Sequence, residues 1–356
     1  MKVSVIIPVK GKAEITRACL VSLLRFDSPI LEEVLIVDNG VGVETGALLD
    51  EIGWGKARRV AGSPSFNFSR SCNVGAGEAR CGLMVFLNND IVVSDGWLAP
   101  LAGTVRDKGG VAGSTLLNHD GTIQQAGMRF GAWGLMYRVG AGADGNDKRF
   151  HRTTLEWAVM GASLCISREM FDKAGGFDER YVFGIEDADL CLKVIESGGK
   201  VRNIGASKIT HMESATLKEN ESAISAHAGN ITLFNARWGG LVDRLTERYI
   251  ARIKTVGVKT VAIFGTGSAG ETLRQKLEIG GVVVRKFITF DPAAPSIAHG
   301  LRVETASRES VRDVDRVIVG AQYVTMIEGR LGEMGLGGLV CGCDLYDESW
   351  TPGKEG

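Results

Sequence analysis

Long apolar runs, an excess of charge of one sign and paired cysteine motifs are all missing from this 356-residue chain. No apolar stretch approaches the roughly 18 residues that a membrane-crossing helix requires. The opening MKVSVIIPVK also lacks the apolar core and small-residue cleavage site of a secretory signal. The expected location is therefore cytoplasmic, at most peripheral at the inner face of a membrane. Lys and Arg total 41 against 42 Asp and Glu, a net charge of −1. Nothing in that balance would draw a nucleic acid by counterion release. The seven cysteines are an odd number, and Cys19, Cys72, Cys81, Cys165 and Cys191 lie in apolar-patterned segments, as reduced, buried thiols do. Cys341 and Cys343 form a lone C-x-C without the second pair or histidine spacing of a zinc site.

What is present reads as α/β. A chain of this length suggests two domains, each able to bury its own core. VSVIIPV, a helical pattern over 13–24, EEVLIVDNG and a second helical pattern over 45–53 alternate as strand, helix, strand, helix. Residues 34–37 are continuously apolar, as in a parallel strand covered on both faces. Pro8, Asp38 and Asp90 each close an apolar run, and ligands of such sheets bind at the carboxyl ends of the strands. A nucleotide crevice is the natural expectation.

The segment VFGIEDADLCLKV, residues 182–194, sets Glu186, Asp187 and Asp189 at the mouth of a helix-periodic apolar stretch. Carboxylates are favoured at a helix start for capping and dipole reasons alone. Upstream, LMVFLNNDIVV is an apolar strand ending in Asn88, Asn89 and Asp90; downstream, His211 lies in KITHMES. Strand-end carboxylate, helix-start carboxylates and imidazole together suggest a metal-assisted transfer site. Asp90 and Asp38 could equally satisfy local turns, and His211 could be an ordinary hydrogen-bonded histidine.

Over residues 1–240 these motifs, in this order, resemble family 2 glycosyltransferases, the inverting nucleotide-sugar enzymes of GT-A fold. SVIIPVKG resembles the opening strand of the family and VLIVDNG its nucleotide-contacting Asp segment. FNFSRSCNVGA resembles the loop and helix beside the nucleotide, and LNND the D-x-D-like metal motif. GASLCISREMFDKAGGFDERYVFGIEDADLCLKV resembles the acceptor-side stretch ending in Glu-Asp, and ITHMESAT the late histidine segment. The resemblance implies a divalent cation, Mg²⁺ or Mn²⁺, on Asp90 and His211, and donor contacts from Pro8, Asp38, Asn67, Arg70, Asn73, Asn89 and Asp90. It implies Asp187 as the catalytic base, with Glu186 beside it in the catalytic motif. Asn88 stands where the family's first acidic residue is usual, which leaves Asp90 as the full charge of that motif. The implied activity moves a hexosyl or deoxyhexosyl group from a nucleoside diphosphate to an acceptor hydroxyl. The implied partners are the sugar donor and a glycan or lipid-linked glycan of bacterial surface polysaccharide. Phe66 and Phe68 are expected to anchor the loop in the core. Trp157 and Met160 are open between acceptor pocket and core.

A basic amphipathic segment, 241–257, is expected as a linker helix, packing against a domain or subunit or lying on a membrane surface. Beyond it, in 258–356, Gly265, Gly267 and Gly270 form G-x-G-x-x-G between a strand and a helix, with Asp291 at the end of the next strand, the context of a dinucleotide fingerprint. This smaller Rossmann-like domain leaves an alternative open: an NAD-dependent oxidoreductase or nucleotide sensor acting through the C-terminal domain. A packing or oligomerising role for it is open as well.

Overall fold

The computed structural model describes residues 1–40, 42–182, 184–212 and 221–345, with side chains from 228 onward in the last stretch. Residues 213–216 of ITHMESAT, Phe183 of the Glu-Asp segment and the end of the C-terminal region from 346 lie outside them. The chain divides into two compact units. One is formed by Met1–Gly127 and Asp144–Ala236, the other by Met128–Ala143 and the described residues from Arg237 onward.

In the first unit, β1 (Val3–Val9), β2 (Leu31–Asp38) and β3 (Ala57–Ala61) alternate with α1 (Ala13–Arg25), α2 (Gly42–Ile52) and α3 (Phe68–Glu78). Then come β4 (Leu83–Leu87), β5 (Ile91–Val92), α4 (Leu98–Lys108), β6 (Val111–Leu117) and β7 (Ile123–Gln125). After β8 (Met128–Phe130) and β9 (Met136–Arg138), which belong to the second unit, follow β10 (Thr153–Glu156), β11 (Ser163–Ser167), α5 (Arg168–Lys173), α6 (Glu186–Glu196) and β12 (Val201–His211). The main sheet runs β10-β12-β6-β11-β4-β1-β2-β3, with β5 paired to β12 and β7 to β6. Strands β3, β2, β1 and β4 are mutually parallel, and β11 runs antiparallel between β4 and β6. Every residue of β1 is buried, as the continuous apolar reading requires of a strand covered on both faces.

Two local features set what the sheet presents at its carboxyl edge. Val9 is paired with Asp38, so β1 and β2 end level. Along β12 the pairing jumps from Ile204 opposite Ser114 to Lys208 opposite Thr115, so Gly205, Ala206 and Ser207 bulge out. An odd insertion exchanges the faces of a strand. A Cβ on Gly205 would lie 2.3 Å from the Phe150 carbonyl, which explains glycine at the bulge. Beyond it Ile209 and His211 are buried again.

The expected linker at 241–257 is the C-terminal part of a longer helix, α7 (Glu221–Thr255), and the division between units falls inside it, at Ala236/Arg237. In the second unit, α7 is followed by β13 (Thr260–Phe264), α8 (Ser268–Ile279), β14 (Val283–Thr289), β15 (Ile297–Ala298), β16 (Leu301–Thr305), β17 (Arg316–Val319), α9 (Val324–Glu333) and β18 (Val340–Cys341). The order is β15-β16-β14-β13-β17-β18, parallel from β16 through β18. The hairpin β8–β9 joins this unit through the 343–345 segment: the Ala132 amide donates to the Cys343 carbonyl and the Leu345 amide to that of Phe130. The fingerprint glycines lie between β13 and α8. Gly265 has φ 111°, and a Cβ on Gly270 would lie 2.0 Å from the Gly265 carbonyl oxygen. Asp291 closes a turn by accepting from the Ala293 amide. Among the described residues no helix is long and apolar enough to cross a membrane.

Candidate active site

The turn after β4 carries Asn88, Asn89 and Asp90. The Ile91–Val92 strand that follows pairs with the end of β12, putting His211 opposite Ile91, and the Met212 amide donates to the Asp90 carbonyl. This brings the two expected metal ligands together: His211 Nε2 lies 3.1 Å from Asp90 Oδ1, with both side chains largely buried. On its other side His211 Nδ1 is 2.7 Å from Gln124 Oε1, contributed by β7. Two ligands bound in adjacent positions at about 2.1 Å from one ion stand about 3 Å apart. The donor set, one carboxylate and one imidazole, therefore fits a hard divalent cation that completes its shell with phosphate oxygens and water.

Asp187 enters from α6. The chain reaches this helix through Gly184, φ 81°, and Ile185, φ 76°. Positive φ in a β-branched residue is strained. Asp187 Oδ2 accepts from the Gly161 amide at 2.8 Å and Oδ1 from the Ala188 amide at 2.7 Å, so this carboxylate also does the anchoring that its helix-start position favours. The next residue after Gly161, Ala162, accepts through its carbonyl from the Asn88 amide at 3.1 Å. The Asp187 carboxylate and the Asn88–Asp90 turn are thus held by two consecutive residues, Gly161 and Ala162. Glu186 is buried, and its Oε2 has no hydrogen-bond partner among the described residues. Burial, and secondarily the Asp187 charge, push its carboxyl up to about 8.

At the strand ends, Pro8 is inside β1, paired with Val37. Asp38 accepts from the Gly40 amide at 3.1 Å and stands 3.7 Å from Arg59 Nη1. Asn89 Nδ2 donates to the Thr16 hydroxyl of α1 at 2.9 Å. Asn67, Arg70 and Asn73 are engaged with the chain, Asn67 buried and Arg70 exposed. Asn67 caps α3 by accepting from the Arg70 amide and donates to the Glu179 carbonyl; Arg70 pairs with the Glu179 carboxylate. Asn73 donates to the Phe177 carbonyl and to Glu179, and accepts from the Phe177 amide. These bonds tie α3 to the GGFDE stretch. Phe68 stacks edge-on against Phe177, and Trp157 is buried.

Three residues of this site were given no role from the sequence. Asn39 donates from Nδ2 to the carbonyls of Val9 and Val37, and accepts from the Ser63 amide and the Ser71 hydroxyl. Gln124 holds His211. Asn88 has a buried Oδ1 with no hydrogen-bond partner among the described residues, an oxygen suited to a ligand. Asn88 and Asn39 stand inside the LNND and VLIVDNG motifs, next to the acidic residues that drew the reading; Gln124 has no motif, periodicity or spacing to mark it.

Residues 4–159 match the family model for glycosyl transferase family 2, and residues 148–215 match one described as the N-terminal domain of galactosyltransferase. The O-antigen biosynthesis protein RfbC of Myxococcus xanthus is 32% identical over 225 residues, 60% of this chain and 18% of that protein. An uncharacterized protein of Sinorhizobium fredii is 31% identical over 229 residues, 60% of this chain and 25% of its own. A probable N-acetylgalactosaminyltransferase 9 of Caenorhabditis elegans is 26% identical over 207 residues, 53% of this chain and 35% of that one. This chain therefore spans about a third or less of the length of these relatives. Among solved structures, GalNAc-T7 with UDP, GalNAc and Mn²⁺ superposes with TM-score 0.53 at 17% identity, covering 80% of this chain and 55% of that one, a likeness of fold. Residues 4–159 are a family 2 glycosyltransferase domain built on a GT-A scaffold.

Proposed function

We propose that this chain transfers a sugar from a nucleoside diphosphate to an acceptor hydroxyl with inversion, assisted by a divalent cation, in the synthesis of a bacterial surface polysaccharide. The carrying observation is the shared anchorage of Asp187 and the Asn88–Asp90 turn on Gly161 and Ala162, together with the 3.1 Å approach of His211 to Asp90. The polysaccharide role draws on the O-antigen biosynthesis relative.

In this reading Asp90 and His211 would hold Mg²⁺ or Mn²⁺, which when bound neutralises charge on the departing diphosphate. Asp38, at the level end of β1 and β2, receives the nucleoside, and the α3 loop borders it. The acceptor oxygen forms its bond to the anomeric carbon as the bond to the diphosphate oxygen breaks. The electron pair leaves with the nucleoside diphosphate, and the hydroxyl proton passes to Asp187. One displacement inverts the anomeric centre. A protonated Glu186 keeps a second negative charge away from the attacking oxygen and leaves Asp187 as the acceptor of the proton.

Calorimetric titration with UDP, dTDP, GDP and CDP, each with and without Mn²⁺, tests the donor class. Metal-dependent binding of one nucleotide is expected; binding of none, with NAD⁺ bound instead, would move the function to the C-terminal unit. For the base, Asp187→Asn should abolish transfer while nucleotide affinity stays within a few-fold. Full transfer by that variant would rule the assignment out.

A further inference from the structure

We propose that Gln124 is a positioning residue that keeps the proton of the neutral His211 ring on Nδ1 and turns the Nε2 lone pair toward Asp90, so that the two side chains offer ligating atoms to one cation. The inference rests on the divalent-cation reading of Asp90 and His211 and adds what makes the imidazole ready for it.

The direction of each hydrogen bond follows from the end of the chain of contacts that has no choice. Asp120, in the exposed turn between β6 and β7, accepts from the Thr122 amide at 2.9 Å and the Thr122 hydroxyl at 2.6 Å. These two bonds hold its carboxyl below the ordinary range, so it stays an acceptor. The single proton of the Thr122 hydroxyl is then committed, and the atom facing that oxygen at 2.9 Å must be a donor, Asn118 Nδ2. That orientation leaves Asn118 Oδ1 toward Gln124, which donates from Nε2 at 3.3 Å. Gln124 Oε1 is thereby turned to His211 Nδ1 at 2.7 Å and can only accept. The ring must present an N–H there. In the neutral imidazole the other nitrogen is then bare, and it is the one facing Asp90.

In the neutral ring a bare Nε2 against a carboxylate oxygen at 3.1 Å sets two electron-rich atoms side by side, an arrangement that a proton or a divalent cation between them relieves. Ligating histidines elsewhere donate their second N–H to an acceptor that fixes the ring, and loss of such a partner weakens metal binding about 10–100-fold. Gln124 is 3% exposed, so solvent does not compete for that acceptor position. Its backbone is fixed in the pairing of β7 with β6, where Gln125 lies opposite Leu116.

Two measurements on the intact chain test this. Long-range ¹H–¹⁵N correlation spectra of ¹⁵N-histidine-labelled protein report the tautomer of the neutral His211 ring, and Mn²⁺ titration followed by electron paramagnetic resonance reports affinity. In the wild type the Nδ1–H form is expected. Gln124→Leu should release the ring toward the Nε2–H form and weaken Mn²⁺ binding about 10–100-fold. Gln124→Glu, which still accepts at that position, should keep the tautomer and an affinity within a few-fold. Finding Nε2–H in the wild type, or an unchanged tautomer in a folded Gln124→Leu, would overturn the role of Gln124 whatever the metal does. An Nδ1–H ring that responds to Gln124→Leu, in a protein that binds no Mn²⁺, would instead uphold Gln124 and overturn the metal reading.

Discussion

Glu186 shows how one buried carboxyl ties the site to stability. Its folded value of about 8 exceeds the ordinary 4.5, so between those pH values the unfolded chain ionises while the folded chain holds the proton. Its contribution is fully present below about 4.5 and is lost as pH rises through about 8. Thermal unfolding should therefore give a lower midpoint at pH 8 than at pH 5, and Glu186→Gln should flatten that slope, since an amide has no proton to lose. An unchanged slope in the variant would place the titrating group elsewhere. Asn39 is the opposite kind of residue, uncharged and saturated with four partners. Asn39→Ala strands several buried polar groups at once and should cost about 2–4 kcal/mol, read as a fall in the urea midpoint.

Among the elements, the contact of α3 with the sheet decides where the loop residues 67–73 can stand. Gly75 faces β1 and β2 so closely that a Cβ would lie 2.3 Å from Ile6 Cγ2 and 3.0 Å from Val37 Cγ2. Two effects oppose each other in Gly75→Ala. Helix propensity favours alanine by about 1 kcal/mol, whereas forcing a methyl into a filled core costs about 1–3 kcal/mol. At 2.3 Å from the side chain of a central strand the packing effect should win, giving net destabilisation of about 1 kcal/mol and a weaker nucleotide site as α3 shifts. A stabilised Gly75→Ala would show that the helix can back away from β1 without cost. The same element makes Asn67, Arg70 and Asn73 legible in a second way: they clamp Phe177, Glu179 and Tyr181, and so reach the GGFDE stretch that leads to α6.

On the scale of the whole molecule, the second unit carries its own glycine-rich turn, and its glycines are not equivalent. Nothing lies within 4 Å of a Cβ on Gly267, whose φ of −78° suits any residue; Gly270 has no such room. Gly267→Val should therefore melt like the wild type and keep nucleotide binding by the first unit, while Gly270→Ala should lower the stability of the second unit by more than about 1–3 kcal/mol. With its fold intact, Gly267→Val is the variant in which loss of NAD⁺ binding would speak for a dinucleotide site. Equal destabilisation of the two variants would mean that the turn is tighter than its backbone indicates.

Much of the first unit was readable in order along the chain. The continuous apolar runs marked β1, β2 and β4, and the 3.6-residue pattern marked α1 and α6, because burial on two faces and on one stripe leave different periodicities. Asp38 and Asp90 could be placed at strand ends the same way, since a parallel sheet collects such ends at one edge, and Asp187 at a helix start; the roles expected of them came from the family resemblance. Three things awaited the tertiary structure. Residues 128–143 belong with the second unit: they pair into a hairpin of their own, and the backbone hydrogen bonds of its turn reach residues some 200 positions away. Asn39 and Gln124 matter through partners distant in sequence, and a hydrogen bond between remote residues leaves no period to read. The approach of His211 to Asp90 depends on the three-residue bulge of β12, which exchanges the faces of the strand before the histidine is reached. Local pattern determines which segments become strands and helices; long-range pairing decides which of their ends meet.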